Sequence, residues 1–244
     1  GTPNKKLGLS KAAHMVVGYE AQLTENLNTK IDLYYQALYQ VPVENNDSSV
    51  FTMLNSDEGY VNVALTNAGK GSNYGIEYTL EHYFTGKYFF LLTASLYNST
   101  YKAMDGVTRN TKYNGNYAVN FLAGKEFRVG SGARANTLSV NGKFFYSGGR
   151  RYVPVNLAAS MEKQETVYDF THAWENRLDD IRQVNLSVSY RMNRPKTSHE
   201  LVIDIVNVTN NQARTWEYYN KYTGKIAYYR QLSFLPNVMY RVHF

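Results

Sequence analysis

Residues 73–101 read NYGIEYTLEHYFTGKYFFLLTASLYNSTY, two alternating stretches on either side of a Thr85-Gly86-Lys87 break. Counted in twos, one face carries Tyr74, Ile76, Tyr78, Leu80, His82 and Phe84 and then, past the break, Tyr88, Phe90, Leu92, Ala94 and Leu96. The opposite face carries Glu77, Thr79, Glu81, Thr93 and Ser95. A two-residue period is that of a strand with one greasy and one wet face, and glycine between two such strands permits a tight reversal. From Tyr74 to Phe84, at about 3.3 Å per residue and a tilt of about 40°, the greasy face covers ~25 Å, the height of the apolar belt of a membrane barrel between its aromatic rims. His82 is the polar exception and falls near one rim, where a polar tip reaches headgroups.

The same period recurs in nine segments, at 12–24, 26–41, 68–84, 88–102, 117–129, 137–150, 180–193, 198–212 and 229–244. In IDLYYQALY, Ile31, Leu33, Tyr35, Ala37 and Tyr39 oppose Asp32, Tyr34 and Gln36. In VNLSVSYRM, Val184, Leu186, Val188, Tyr190 and Met192 oppose Asn185, Ser187, Ser189 and Arg191. The links between segments alternate strictly in length. They are short at Glu25, at 85–87, at 130–136 and at 194–197, and long at 42–67, 103–116, 151–179 and 213–228. Successive antiparallel strands reverse direction, so all short turns gather at one end and all long loops at the other. That is the arrangement of outer-membrane barrels, with tight periplasmic turns and long extracellular loops; a soluble sandwich has no physical reason to sort its loops this way. The expected fold is therefore all-β: an antiparallel transmembrane β-barrel segment of about nine strands. Because single-chain bacterial barrels have even strand counts, residues 1–244 are expected to be the C-terminal part of a larger barrel, entered from an extracellular loop.

Composition narrows the alternatives. The chain of 244 residues holds 23 Tyr, 11 Phe and 2 Trp, which favours strands, and no Cys, which leaves neither a disulfide framework nor a cysteine-bearing zinc site. Its longest apolar candidate, YFFLLTASLY at 88–97, is too short for a transmembrane helix. The opening GTPNKKLGLSKAAH has no secretory signal, which for a barrel protein implies truncation. The net charge of +6 is scattered, with adjacent basic residues only at Lys5-Lys6 and Arg150-Arg151, so no nucleic-acid footprint forms.

No catalytic or metal constellation stands out. His14, His82, His172, His199 and His243 are dispersed, and Ser160, Asp169 and His172 share a loop without a nucleophile elbow. GKGSNYG at 69–75 leads into a strand where a phosphate loop would lead into a helix, and its glycines are expected to serve loop turns. ENNDSS at 44–49 lacks the closing Glu of a calcium loop. The expectation is a non-enzyme with no cofactor. The long loops are more informative. Tyr152, Tyr168, Phe170, His172, Trp174 and Arg177 lie in one, and Trp216, Tyr218, Tyr219, Tyr222, Tyr228 and Tyr229 in or beside another. Aromatics there either contact ligand or pack the loops against one another. The candidate ligand residues are Arg150, Arg151, Tyr152, Trp174 and Trp216, the arginine pair favouring an anion.

GKEF at 124–127, SGGRRYVPV at 147–155, HELVIDIVNVTNNQ at 199–212 and FLPNVMYRVHF at 234–244 resemble, in order, the C-terminal barrel of TonB-dependent outer-membrane receptors, especially those of the Bacteroidetes type. The resemblance implies a barrel of about 22 strands, of which these are the last nine, around a plug that is absent here together with the N-terminal strands. It implies a receptor in the outer membrane of a Gram-negative bacterium, importing a scarce small ligand with energy from the TonB complex. Its partners would be outer-membrane lipid, the plug and the barrel insertion machinery. Glu77, Glu81, Arg191 and Asp204 would line the lumen or hold the plug. Tyr240, Val242 and Phe244 would form the terminal assembly signal. A passive porin and a secreted soluble β-sandwich that binds carbohydrate are the alternatives.

Overall fold

A computed structural model describes residues 4–57, 59–132 and 134–244. Residues 1–3, residue 58 of the 42–67 link and residue 133 of the 130–136 link lie outside the described residues.

Nine long strands form one antiparallel meander in chain order: β1 (Lys11–Thr24), β2 (Leu27–Glu44), β3 (Leu65–Thr85), β4 (Tyr88–Lys102), β6 (Tyr117–Val129), β7 (Asn136–Ser147), β8 (Ile181–Asn193), β9 (Ser198–Val206) and β12 (Leu235–His243), with the short β5 (Thr108–Asn110) paired back on β4. Above β9 stands a separate hairpin of β10 (Arg214–Asn220) and β11 (Lys225–Arg230). Among the described residues, helix is confined to α1 (Leu157–Lys163) and two 3-10 turns, all in loops. No helix among the described residues is long and apolar enough to cross a membrane. Among the described residues β1 pairs only with β2 and β12 only with β9, so each has a free edge.

Register aligns the two faces across the whole wall. Ile31, Tyr78, Ala94, Val119 and Tyr146 fall on one continuous row, as do Tyr88, Lys125, Val140, Val188, Ile203 and Val238. This outer face exposes Met15, Val17, Leu33, Tyr35, Phe121, Phe144, Leu186, Leu201 and Val238, an apolar surface far beyond what a soluble domain leaves in water. Aromatic rims bound it. At the loop end the hydroxyls of Tyr117 and Tyr146 donate to Asp180 Oδ2 at 2.7 and 3.0 Å, and the guanidinium of Arg182 stacks 5.5 Å from the Tyr146 ring. At the turn end Tyr240 Oη lies 2.7 Å from His199 Nδ1. His82 is stacked on Tyr88, with centroids 4.4 Å apart and planes at 13°, so it joins the aromatic rim instead of interrupting the belt.

The inner face is polar and laterally bonded. The Gln36 side-chain amide sits 2.8 Å from His14 Nε2, Asn73 Nδ2 donates to Gln36 Oε1 at 2.5 Å, Ser99 Oγ donates to Asn73 Oδ1 at 2.5 Å, and Thr111 Oγ1 donates to Ser99 Oγ at 2.8 Å. Glu77, Glu81, Asp204 and Arg191 belong to this face by register, and Arg191 pairs with the buried Glu200 at 3.2 Å. Near the loops a bulge at Gln40, whose φ is 55°, re-aims the chain so that Val43 turns inward onto Tyr101 and Ala103.

Three boundaries fall short of the sequence reading by three residues or more, each for a packing reason. The 137–150 segment stops at Ser147, because Gly148 and Gly149 pass so close to other backbone that a Cβ on either would lie 1.9 Å from Gly115 O or 2.2 Å from Leu178 O. The 198–212 segment stops at Val206, where the buried Asn207 takes a φ of 55° and its amide donates to Asn211 O and Leu232 O. The 229–244 segment divides, since Tyr229 and Arg230 pair with β10 and the wall strand starts at Leu235. The glycines of GKGSNYG also lie inside β3, not in a turn. Gly69 and Gly71 make room for Val43 and Leu54.

Candidate functional site

All four long links are built structures that lean on one another. The loop over β2–β3 packs Leu54 against the Val43–Tyr101–Ala103 cluster, and Tyr101 Oη donates to Val50 O at 2.8 Å. The β7–β8 loop is held by bridges from Arg151 to Arg177 and from Val155 to Tyr168. The β10–β11 hairpin docks on that loop. Val155 N donates to Oε1 of the buried Glu217 at 2.6 Å, and Tyr219 N donates to Thr166 Oγ1 at 3.1 Å. Its base is pinned where Arg214 Nε donates to both carboxylate oxygens of Asp179, at 3.0 and 2.9 Å. That contact holds the Asp179 carboxyl below its ordinary range.

Where loop and hairpin meet, Tyr152, Val153, Tyr168, Phe170, Trp174, Trp216 and Glu217 enclose an aromatic cavity. Trp216 Nε1 donates to Tyr168 Oη at 3.0 Å, and the two rings meet edge to face, with centroids 6.1 Å apart and planes at 77°. Tyr168 meets Phe170 the same way at 6.4 Å. Burial raises the phenol pKa values of Tyr152 and Tyr168, so both remain neutral hydrogen-bonding groups. Phe170 and Trp216 remain 54% and 38% exposed, which leaves the aromatic faces accessible. The buried Lys112 stands outside this lining, its Nζ 5.4 Å from the Trp216 ring and paired with Asp57. That bond, with one from Tyr113 Oη, lowers the Asp57 pKa.

Three of the five candidate ligand residues, Tyr152, Trp174 and Trp216, therefore line one cavity. The arginines do not. Arg151 is spent on Asn114 O, Glu175 O and Asn116 Oδ1 at 3.1, 2.5 and 3.2 Å, and Arg150 stacks over Tyr113 at 5.3 Å. Trp174 serves twice, since it also packs on the Val43 cluster at a φ of 65°. Lys112 and Glu217 had no signal in the sequence, because a lone Lys and a lone Glu in separate links gain meaning only when the hairpin folds over. Ser160 is fully buried with its hydroxyl engaged on the Val167 backbone, while His172 pairs with Asp169 at 2.8 Å, so the three do not form a hydrolytic relay. Among the described residues no cluster of three metal-ligating side chains occurs.

The cavity can hold a flat or apolar group between ring faces. Tyr240, Val242 and Phe244 lie at the turn end of β12, far along the wall from this mouth.

No protein-family model matches the chain, and no curated protein matches it. Its structure is similar over 96% of its length to the ferric yersiniabactin uptake receptor FyuA from Yersinia pestis, at 12% identity and a TM-score of 0.62. It is similar over the same share to the ferric-catecholate import receptor Fiu from K12 E. coli, at 14% identity and a TM-score of 0.59. The chain spans 30% and 27% of those proteins. In fold, the nine-stranded wall with its built loops is similar to the barrels of TonB-dependent outer-membrane receptors.

Proposed function

We propose that this chain is the C-terminal part of the barrel of a TonB-dependent receptor of the Bacteroidetes type, which captures a scarce small ligand at its loop end and imports it across the outer membrane. One observation carries the reading: a wall with an apolar outer face and a hydrogen-bonded polar inner face, whose tight turns lie at one end and whose interlocked loops lie at the other. The aromatic cavity receives the planar or apolar part of the ligand. A plug supplied by sequence outside this chain completes the site, and work done on the plug through TonB opens the path. The chain's own residues bind and orient; none performs covalent chemistry.

The decisive experiment compares ligand binding and ligand uptake in cells carrying the full-length protein, with and without a functional TonB complex. Retained binding with abolished uptake is expected. Uptake independent of TonB would mean a passive pore.

A further inference from the structure

The outer face of the wall is not evenly filled. On the register row of Phe90, Ala123, Gly142 and Leu186 two small residues meet, and above them Phe121 and Phe144 stand at either side of an open groove. Gly142 has no backbone reason to be glycine. Its φ is not positive, and an added Cβ would meet only Leu186 Cδ2, at 3.5 Å. Gly124, one strand over on the inner face, differs, since a Cβ there would fall 2.4 Å from Phe89 Cε1. A strand glycine that its own fold does not require weakens the strand and leaves room for something to approach closely. The turn end of this groove is cationic. The exposed Lys125 lies on its floor with Nζ 5.4 Å from the ring of Phe127, directed toward the tight turns. The exposed Lys87 sits at the adjoining turn, where its carbonyl accepts from Glu126 N at 2.8 Å. Among the described residues neither lysine has an ion-pair partner.

We propose that this groove is a seat for one anionic glycerophospholipid of the periplasmic leaflet. One acyl chain lies over Ala123 and Gly142 between the phenylalanines, and the phosphate rests between Lys125 and Lys87. The charge selects this occupant. A second copy of the chain would bring its own apolar belt against the groove and leave two ammonium groups unanswered, whereas a lipid supplies hydrocarbon and phosphate in the right order along the membrane normal. The inference rests on the outer-membrane reading above.

The test uses the full-length protein extracted in mild detergent, its folded state checked by heat-shifted electrophoresis and its retained lipid followed by native mass spectrometry. Phosphatidylglycerol, phosphatidylcholine and inorganic phosphate serve as probes. The wild type is expected to retain phosphatidylglycerol in preference to phosphatidylcholine. Gly142→Leu, which fills the groove, should weaken both lipids roughly tenfold, the loss of about two buried methylenes. Lys125→Gln should erase the preference while leaving phosphatidylcholine binding in place, and inorganic phosphate should not displace the lipid. Equal retention by wild type and Gly142→Leu, complete displacement by phosphate, or a wild-type oligomer that Gly142→Leu abolishes would each overturn the proposal. A wild type that shows no heat shift would reject the membrane-barrel reading itself, whereas a heat-shifted wild type without retained lipid would reject this inference alone.

Discussion

Trp216 and Arg151 show how differently two neighbouring candidates act. Trp216 is oriented by its bond to Tyr168 yet keeps an open face, the behaviour of an anchor that dominates binding. Trp216→Ala in the full-length protein is expected to weaken ligand binding by about 2 kcal/mol, roughly thirtyfold, with surface receptor unchanged. Arg151 has its guanidinium bonded to three acceptors that join the loop over β4–β6 to the loop over β7–β8. Arg151→Ala should leave those acceptors unpaired and destabilise the loop assembly by about 2 kcal/mol, read as earlier protease cleavage near residue 175. The sequence made the aromatic members of the site visible because Tyr and Trp in long loops are themselves a signal. Arg150 and Arg151 stood out by their adjacency, whereas the approach of Lys112 to Trp216 arises only through the fold.

At the level of elements, the wall strands were legible because the two-residue period persists over ten residues or more, and the register then follows from keeping greasy faces aligned. The β10–β11 hairpin was not legible. Its segments are short, and Tyr218, Tyr219, Tyr228 and Tyr229 put aromatics on both faces, which erases the alternation. That hairpin depends on the Asp179–Arg214 contact, and the sign of its pH dependence is fixed. The Asp179 pKa is lowered in the folded state, so the contribution is present above the ordinary carboxylate value of 3.8 and is lost as pH falls through the folded value. Acidification below about pH 4 should loosen the base of the hairpin while the wall stays folded, seen as a rise in hydrogen exchange around residue 214. At the other end of the molecule, Phe244 follows β12 fully exposed on the outer side of the wall. Deleting Phe244 or changing it to Asp is expected to lower folded receptor in the membrane several-fold, a cost of about 1 kcal/mol at the turn-end rim, without altering the affinity of the molecules that insert. Unchanged membrane levels with lost binding would assign the terminus to a ligand site instead.

For the whole molecule, the proposed outer-membrane reading and the sorting of turns and loops together predict which end meets the outside. Epitopes inserted near Asn46 and near Lys163, both in built loops, are expected to be labelled on intact cells, and one at Gly86 is not. Labelling at Gly86 alone would invert the orientation. The row of bonds that runs from His14 through Gln36, Asn73 and Ser99 to Thr111 bears on the stiffness of the wall. Backbone ladders tie each strand to its neighbour, and this row adds a second, side-chain hoop across five chain segments on the lumen side. A row of short bonds resists lateral bulging, so this stretch of wall is braced like a stave held to its neighbours by a second strap, stiffer than its backbone ladder alone would make it.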